Sequence, residues 1–387
     1  MPRTVLRTPL CDLLGIEYPV ILAGMGPVAG GMEPVATAEL AAAVSNAGGL
    51  GMIGGAGYPP ERLREEIRRV RELTDKPFGV DLLLPADVLA ASDGGERPPV
   101  DPRSLIPEEL VAAVKRIAAD LGIEYVEMPR EQSRPRRGVM DIRGQMEVVI
   151  EEKVPVFASG LGSPAPWMDR LKANGTKVIS LVGNVKAARR VAAAGVDIVV
   201  AQGTEAGGHT GRVATLPLVP QVIDAVAPTP VVAAGGIGDG RGLAAVLALG
   251  AIGAWVGTAF LVADEANQPE VQKQRILAAT EEDTRVTRLY SGKPMRNITN
   301  PLIEKWEEAG LRALPMGLQG LLIQDLMYSI RRAGRNELLM NAAGQIAGLL
   351  TRGRPAAEIL YDMVTQAADI LANRLPQTVT AIPGDRP

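Results

Sequence analysis

Eight short apolar segments, separated by longer amphipathic ones, constrain the fold of this 387-residue chain more than any other feature. None of the eight alternates polar with apolar residues, as a strand with one solvated face would. Strands of a parallel sheet are buried on both faces and have such continuous apolar runs. Eight such strands separated by helices predict an α/β fold, a closed (β/α)8 TIM barrel rather than an open sheet. The predicted strands are 19–24, 49–55, 77–84, 154–160, 177–183, 197–203, 230–237 and 253–261.

Amphipathic helix candidates lie between these strands, and several end in a glycine just before the next strand, as at Gly195 and Gly250. The barrel is therefore assigned to residues 1–263. Residues 264–387 are predicted to form a helical C-terminal extension that packs on the barrel or covers its mouth. The helix candidates of the barrel are 33–47, 60–74, 165–174, 185–194, 216–227 and 240–249.

The regular alternation breaks once, between residues 85 and 137. A run rich in proline, glycine and aspartate is followed by a helix candidate at 107–121 and a basic patch at 129–138. A regular barrel needs no such segment after its third strand. We interpret it as an insertion on the face where barrel loops line the active site.

Composition excludes several classes of function. The 41 basic and 44 acidic residues give a net charge of −3, which does not suggest nucleic acid or an anionic membrane as a partner. A single cysteine, Cys11, and a single histidine, His209, argue against a metal site built on thiolates or imidazoles. No secretory signal is visible in residues 1–10, so a cytoplasmic location is expected. The uncharged stretches 40–58 and 244–263 are interrupted by glycines, and each is predicted to be a helix running into a buried strand rather than a membrane span.

A glycine-rich segment, AAGGIGDGRG, follows the seventh predicted strand, and Gly257 and Thr258 lie at the end of the eighth. Barrel enzymes commonly bind phosphate with the loops after these two strands. Glycines let the backbone approach the ligand, and amides and a helix N-terminus favour its negative charge. Gly235, Gly236, Gly257 and Thr258 are therefore candidate phosphate ligands. The alternative is a pair of tight turns without a ligand.

His209 lies in a glycine-rich loop, GTEAGGHTG, directly after the sixth predicted strand. Imidazole is a side chain whose unperturbed pKa lies near neutrality, so it can accept a proton from a carbon acid or donate one to a carbanion. His209 is therefore the candidate catalytic residue. A packed or solvated histidine is the alternative.

The loop after the first strand, AGMGPVAGG, loosely fits a dinucleotide-binding fingerprint. A Rossmann unit would also place an acidic residue at the end of the second strand, where this chain has the residues GGAG at 54–57. We therefore reject that interpretation. Backbone around Gly24, Met25 and Gly26 is predicted to lie along a flat ring system.

Taken together, these segments resemble the nitronate monooxygenase (2-nitropropane dioxygenase-like) family, which also includes flavin-dependent enoyl-ACP reductases of the same fold. The resemblance spans about residues 6–299, with a gap across the insertion, and resumes at about 342–350. The matching segments are PVILAGMG with SNAGGLGMIG, DKPFGVDLLL, AQGTEAGGHTG, AAGGIGDGRGLAAVLALGAIGAWVGTAFL, SGKPMRNITN and AAGQIAGLL.

The resemblance implies one FMN in the barrel and makes His209 the catalytic base. The family usually has asparagine where this chain has Asp81, so Asp81 is expected either to be protonated or to turn away from the flavin. Glu205 is left with three roles: orienting its loop, contacting the flavin, or solvating the surface. The implied flavin contacts are Gly24, Met25, Gly26, Asp81, Val182, Gly207, Gly208, Gly235, Gly236, Gly257 and Thr258.

The first functional hypothesis is FMN-dependent oxidation of a nitronate or nitroalkane by O2, with His209 removing the proton of a neutral nitroalkane. The second is an NAD(P)H-dependent flavin reductase of an enoyl or CoA/ACP thioester, whose phosphate the basic insertion could meet. The third, from another class, is a barrel that binds a phosphorylated ligand without catalysis. In each case the partner is a small molecule, and the oligomeric state is left open.

Overall fold

A computed structural model describes residues 6–26, 34–85, 102–129 and 141–380. Eight parallel strands form one sheet, and the first pairs with the last, Val20 opposite Ala254. The amide of Leu22 donates a hydrogen bond to the carbonyl of Leu50, and the amide of Leu50 donates one to Val20, so the first strand joins the second and closes the ring. The predicted (β/α)8 TIM barrel is therefore confirmed. The barrel strands, numbered one to eight in chain order, are Val20–Leu22, Gly51–Gly54, Phe78–Leu83, Val156–Gly160, Lys177–Val182, Ile198–Gln202, Val231–Ala234 and Ala254–Val256.

Alternate residues of each strand face two different cores, as burial on both faces requires. In the sixth strand, Ile198 and Val200 belong to the cluster inside the barrel, whereas Val199 and Ala201 belong to the layer between strands and helices. Leu10, on the helix Pro9–Leu14, joins the inner cluster. The eighth strand is shorter than the apolar run that predicted it, because Thr258–Phe260 form a 3-10 turn.

Seven helices of the outer ring follow strands one to seven. The eighth, Ala356–Asp369, comes from about 100 residues beyond the eighth strand and packs between Gly240–Ala248 and Ala38–Asn46. The C-terminal extension therefore supplies the eighth helix of the ring. The ring helices are Ala38–Asn46, Pro60–Leu73, Ile142–Glu151, Met168–Ala173, Val185–Ala193, Thr215–Val226, Gly240–Ala248 and Ala356–Asp369.

A second hydrophobic core lies outside the barrel. The insertion helix Glu108–Asp120 packs on Leu318–Arg332, and Ile117 and Leu326 are both buried in the hydrophobic cluster that the two helices share. The insertion and part of the C-terminal extension therefore form one lobe. The basic patch of the insertion lies almost entirely outside the described residues. The remaining α-helices of the described residues are Glu270–Leu277, Pro301–Glu308 and Leu375–Thr378.

A small antiparallel sheet connects the barrel to the lobe. Its strands are Thr284–Thr287, Met295–Ile298 and the two-residue strand Gly208–His209. The region after residue 263 is predicted to be helical. The strands Thr284–Thr287 and Met295–Ile298 are an addition to that helical content. They fix the histidine loop against a segment that is distant in sequence.

Among the described residues, no helix has the length and apolar character needed to cross a membrane. The uncharged stretch 40–58 is a helix running into the second strand. The stretch 244–263 is a helix, the eighth strand and the 3-10 turn. Both match the interpretation made from their glycines.

Candidate active site

A cavity of about 480 Å³ lies at the carboxyl ends of the barrel strands. Small-molecule and cofactor sites typically have volumes of about 300–1,000 Å³. Residues that directly follow the strands form most of its wall, so loops distant in sequence meet there. The lining includes every residue that the sequence proposed for the site: Gly24, Met25, Gly26, Asp81, Val182, Gly207, Gly208, His209, Gly235, Gly236, Gly257 and Thr258.

The turn after the seventh strand brings the backbone close to the cavity. Gly235 and Gly236 have φ angles of +93° and +74°, in the left-handed region that favours glycine. The helix Gly240–Ala248 begins just beyond, but its N-terminal amides already have a partner. Asp239 accepts hydrogen bonds from the amides of Arg241 and Gly242. A phosphate here would therefore rely on the glycine turn rather than on the helix N-terminus.

Contacts with several other residues fix His209 in the cavity wall. Its strand pairs with Met295–Ile298, and its carbonyl accepts a hydrogen bond of 2.6 Å from Nε2 of Gln202. The ring Nε2 lies 2.9 Å from Oγ of Ser291. Burial, together with the nearby charge of Lys293, lowers the pKa of His209 to about 4. The imidazole is therefore neutral at physiological pH.

Asp81 lies on the third strand and faces the cavity. Its side chain is buried, and Oδ1 has no hydrogen-bond partner among the described residues. Burial raises the pKa of Asp81 to about 8. The side chain therefore faces the cavity rather than turning away from it, and the raised pKa favours its protonated form. A Cβ on Gly24 would overlap the Asp81 side chain, which explains why glycine is needed beside it.

Comparison with known proteins decides the family. A family model described as nitronate monooxygenase matches residues 7–366. The chain belongs to the nitronate monooxygenase family. This membership confirms the resemblance seen in the sequence motifs, and it makes the protein an oxidoreductase.

The chain is similar over nearly its whole length to proteins with different descriptions. A Mycobacterium tuberculosis protein described as a monooxygenase is 40% identical over 94% of this chain and 97% of its own length. FabK from Thermotoga maritima is 35% identical, covering 97% of this chain and 100% of that one, with a TM-score of 0.73. A nitroalkane oxidase from Streptomyces ansochromogenes is 31% identical, covering 93% and 98%, with a TM-score of 0.76.

Glu205 forms hydrogen bonds within the site of this nitronate monooxygenase family member and also lines the cavity. Its carboxylate accepts hydrogen bonds of 3.0 Å from both the amide and the hydroxyl of Thr215. Its backbone carbonyl accepts another, also of 3.0 Å, from the amide of Gln345. These hydrogen bonds tie the histidine loop to Thr215 and to Gln345.

Several cavity residues were missed from the sequence. Lys293 comes from the hairpin of the small sheet, and Met340, Ala342 and Gly344 come from the C-terminal extension. No local pattern marks them as site residues, because they reach the cavity only through long-range packing. The one available signal was that SGKPMRNITN and AAGQIAGLL carry the family resemblance far beyond the eighth strand.

Thr258 joins the end of the eighth strand to the C-terminal extension. Its Oγ1 accepts a buried hydrogen bond of 2.9 Å from the amide of Gly344. Thr258→Val leaves that amide without a partner, so the free energy of unfolding should fall by about 1–3 kcal/mol. Urea denaturation of the two proteins measures the difference. Thr258→Ser keeps the hydroxyl and should stay near wild type; equal stability of wild type and the valine variant would contradict the assignment.

Proposed function

We propose that this protein is an FMN-dependent monooxygenase that oxidises nitronates, and nitroalkanes more slowly, with O2. The observation that carries the proposal is the pairing, in one cavity, of a neutral, half-buried imidazole with a lysine whose charge acts on it. A nitronate is a small carbanion-like anion, and its charge would be attracted by Lys293 in a partly dry site.

The residues of the cavity fit a flavin mononucleotide. The left-handed glycine turn at Gly235–Gly236 and the end of the eighth strand at Gly257–Thr258 would hold the phosphate. Gly24, Met25, Gly26, Asp81, Val182, Gly207 and Gly208 would lie along the ring. The buried, unpartnered Oδ1 of Asp81 supports the presence of a polar ligand, because buried polar groups are nearly always satisfied. When bound, FMN supplies an electron acceptor that O2 can reoxidise.

His209 determines how neutral substrates would react. An imidazole with a pKa of about 4 is in its base form at neutral pH but has little affinity for a proton. His209 would therefore remove the α proton of a nitroalkane slowly, whereas a preformed nitronate needs no such step. The expected preference is for the anion.

The reaction balances without an external reductant. Two nitronate ions and one O2 give two carbonyl compounds and two nitrite ions. Each carbon–nitrogen bond that breaks is replaced by a carbon–oxygen double bond, and O2 is reduced to the two carbonyl oxygens. No nicotinamide cofactor is needed for this chemistry.

The test is anaerobic mixing of the flavin-loaded protein with propane-2-nitronate, 2-nitropropane, NADH or NADPH, each in a separate experiment. We expect the flavin absorbance to bleach rapidly with the nitronate, slowly with the nitroalkane, and not with either nicotinamide nucleotide. Admission of O2 should then restore the spectrum and release nitrite. Bleaching by NADH or NADPH without bleaching by the nitronate would contradict the proposal.

A second function is favoured by one observation, the likeness to FabK over nearly the whole chain. In that case NAD(P)H would reduce an enoyl thioester, and His209 would position or protonate the substrate. The exposed Arg190 on the cavity wall would suit a substrate phosphate. The same mixing experiment separates the two functions, since NAD(P)H bleaching followed by reoxidation with an enoyl thioester identifies a reductase.

A barrel that binds a phosphorylated ligand without redox chemistry is the remaining hypothesis. The neutral His209 in the cavity argues against it. A protein that takes up FMN but whose flavin is reduced by none of these compounds would favour it.

A further inference from the structure

The third strand places the carboxyl group of Asp81 in the cavity wall, away from any positive charge of the described residues. Asp81 lies between Gly54 of the second strand and Ala158 of the fourth in the sheet register. Gly24 packs against it from the loop after the first strand. None of these three neighbours titrates, so no packed element of the described chain offers the carboxyl group a counter-charge.

The charged or titratable residues elsewhere on the cavity wall are Arg190, Glu205, His209 and Lys293. None of them contributes to the pKa of Asp81, which burial alone raises to about 8. At neutral pH the side chain is therefore a carboxylic acid, with one O–H that can donate a hydrogen bond.

A buried polar atom without a hydrogen-bond partner destabilises the fold, because it has lost its hydration without replacement. Oδ1 of Asp81 is such an atom in the described chain, and the carboxyl group lies in a cavity wall rather than in the packed core. A bound molecule that supplies a polar atom there would remove this cost. The position therefore indicates a ligand contact.

The cavity wall leads from the proposed phosphate site to Asp81. A Cβ on Gly257 would lie 3.3 Å from Cβ of Ala23 and 3.9 Å from Sδ of Met25. One residue before Met25, Gly24 packs against Asp81. A ligand whose phosphate is held at the end of the eighth strand would thus pass the first loop and present its other end to Asp81.

We propose that the protonated carboxyl group of Asp81 donates a hydrogen bond to an acceptor atom of the flavin ring, and that its ionisation makes the ring harder to reduce. This inference rests on the proposed flavin function. It adds an acid that senses pH within the cofactor site. Reduction places negative charge on the ring, which a neutral donor stabilises and a carboxylate repels.

The sign of the pH effect follows from the raised pKa. Below about 8 the carboxyl group is neutral and donates; above it, the carboxylate lies beside the ring. The midpoint potential of the wild-type flavin should therefore fall more steeply with pH above about 8 than below it. Asp81→Asn keeps an N–H donor of similar shape at every pH, so its potential should lack this extra fall.

The experiment is a redox titration of the flavin-loaded wild type, Asp81→Asn and Asp169→Asn, at several pH values on both sides of the pKa. Asp169 is exposed on the helix Met168–Ala173 and serves as a carboxyl-to-amide control. We expect wild type and the control to follow one curve, and Asp81→Asn to hold a more positive potential at high pH. The absorption maximum of the bound oxidised flavin should also shift with pH in wild type and not in Asp81→Asn.

The outcomes separate this inference from the function on which it rests. Flavin bound by all three proteins, with identical pH dependence of potential and absorption maximum, would overturn the role of Asp81 alone. A wild-type protein that binds no flavin would overturn both. If Asp81→Asn fails to fold, the pH-dependent shift of the wild-type absorption maximum decides the question, and its absence counts against the inference.

Discussion

Replacing His209 with asparagine should slow the turnover of a neutral nitroalkane by about 10²-fold, the lower end of the usual contribution of a positioned base, because a lowered pKa makes the imidazole a weak base. Turnover of the corresponding nitronate should change much less, because no proton has to be removed. The flavin spectrum should remain, since asparagine is polar and smaller than histidine. Steady-state oxygen consumption with both substrates measures the ratio of the two effects.

The pH profile of the same assay tests the state of the imidazole. Because the pKa of His209 is lowered to about 4, its base form predominates above that pH and is lost as the pH falls through that value. Nitroalkane turnover should therefore show no inflection near the ordinary histidine pKa of about 6.5.

Ser291→Ala, which removes the partner of Nε2, is a control expected to have a smaller effect than His209→Asn. Equal losses with both substrates would instead make His209 a substrate-positioning residue, and no loss with either would remove it from the mechanism.

Gly236→Leu should weaken FMN binding by about 10²-fold or more, which corresponds to about 2.8 kcal/mol. The leucine side chain would lie against Glu205 in the part of the cavity wall proposed to hold the phosphate, and the backbone has a φ of +74° that disfavours a side chain. Fluorescence titration of the flavin-free protein with FMN measures the affinity.

Gly175→Leu provides the matched control for this variant. Gly175 has a φ of +75°, nearly equal to that of Gly236, and a Cβ there would meet nothing within 4 Å. Both variants therefore carry the same backbone penalty, but only Gly236 lines the cavity. Loss of FMN from both would attribute the effect to destabilisation, and retention in both would place the phosphate elsewhere.

The barrel was predictable from the sequence because its signal is local. Each buried strand, such as Ile198–Gln202, is a continuous apolar run, and parallel pairing brings the carboxyl ends of all eight to one face. Once that face is known, residues that follow strands must share a cavity. The proposed site residues come together for this reason, although their chemical roles stay predictions.

The surroundings of His209 were not predictable in the same way. Ser291 and Lys293 lie more than 80 residues beyond it and arrive through antiparallel pairing with Met295–Ile298. Such pairing depends on contacts between distant segments, which no local periodicity records. The pKa of the imidazole, and with it the expected preference for an anion, depends on those contacts.

The eighth ring helix shows the same limit. A regular repeat would place it directly after the eighth strand, whereas Ala356–Asp369 fills that position after a long excursion through the lobe. An amphipathic pattern identifies the helix but not the surface on which it packs. The same holds for the insertion helix Glu108–Asp120, whose partner in the second core lies about 200 residues further along the chain.

The most direct test of the central claim is the absorption spectrum of the purified protein before and after addition of FMN, with the cofactor released by denaturation and identified by chromatography. We predict the visible bands of an oxidised flavin and the release of one FMN per chain. A colourless protein that acquires no bound flavin spectrum when FMN is added would contradict the account.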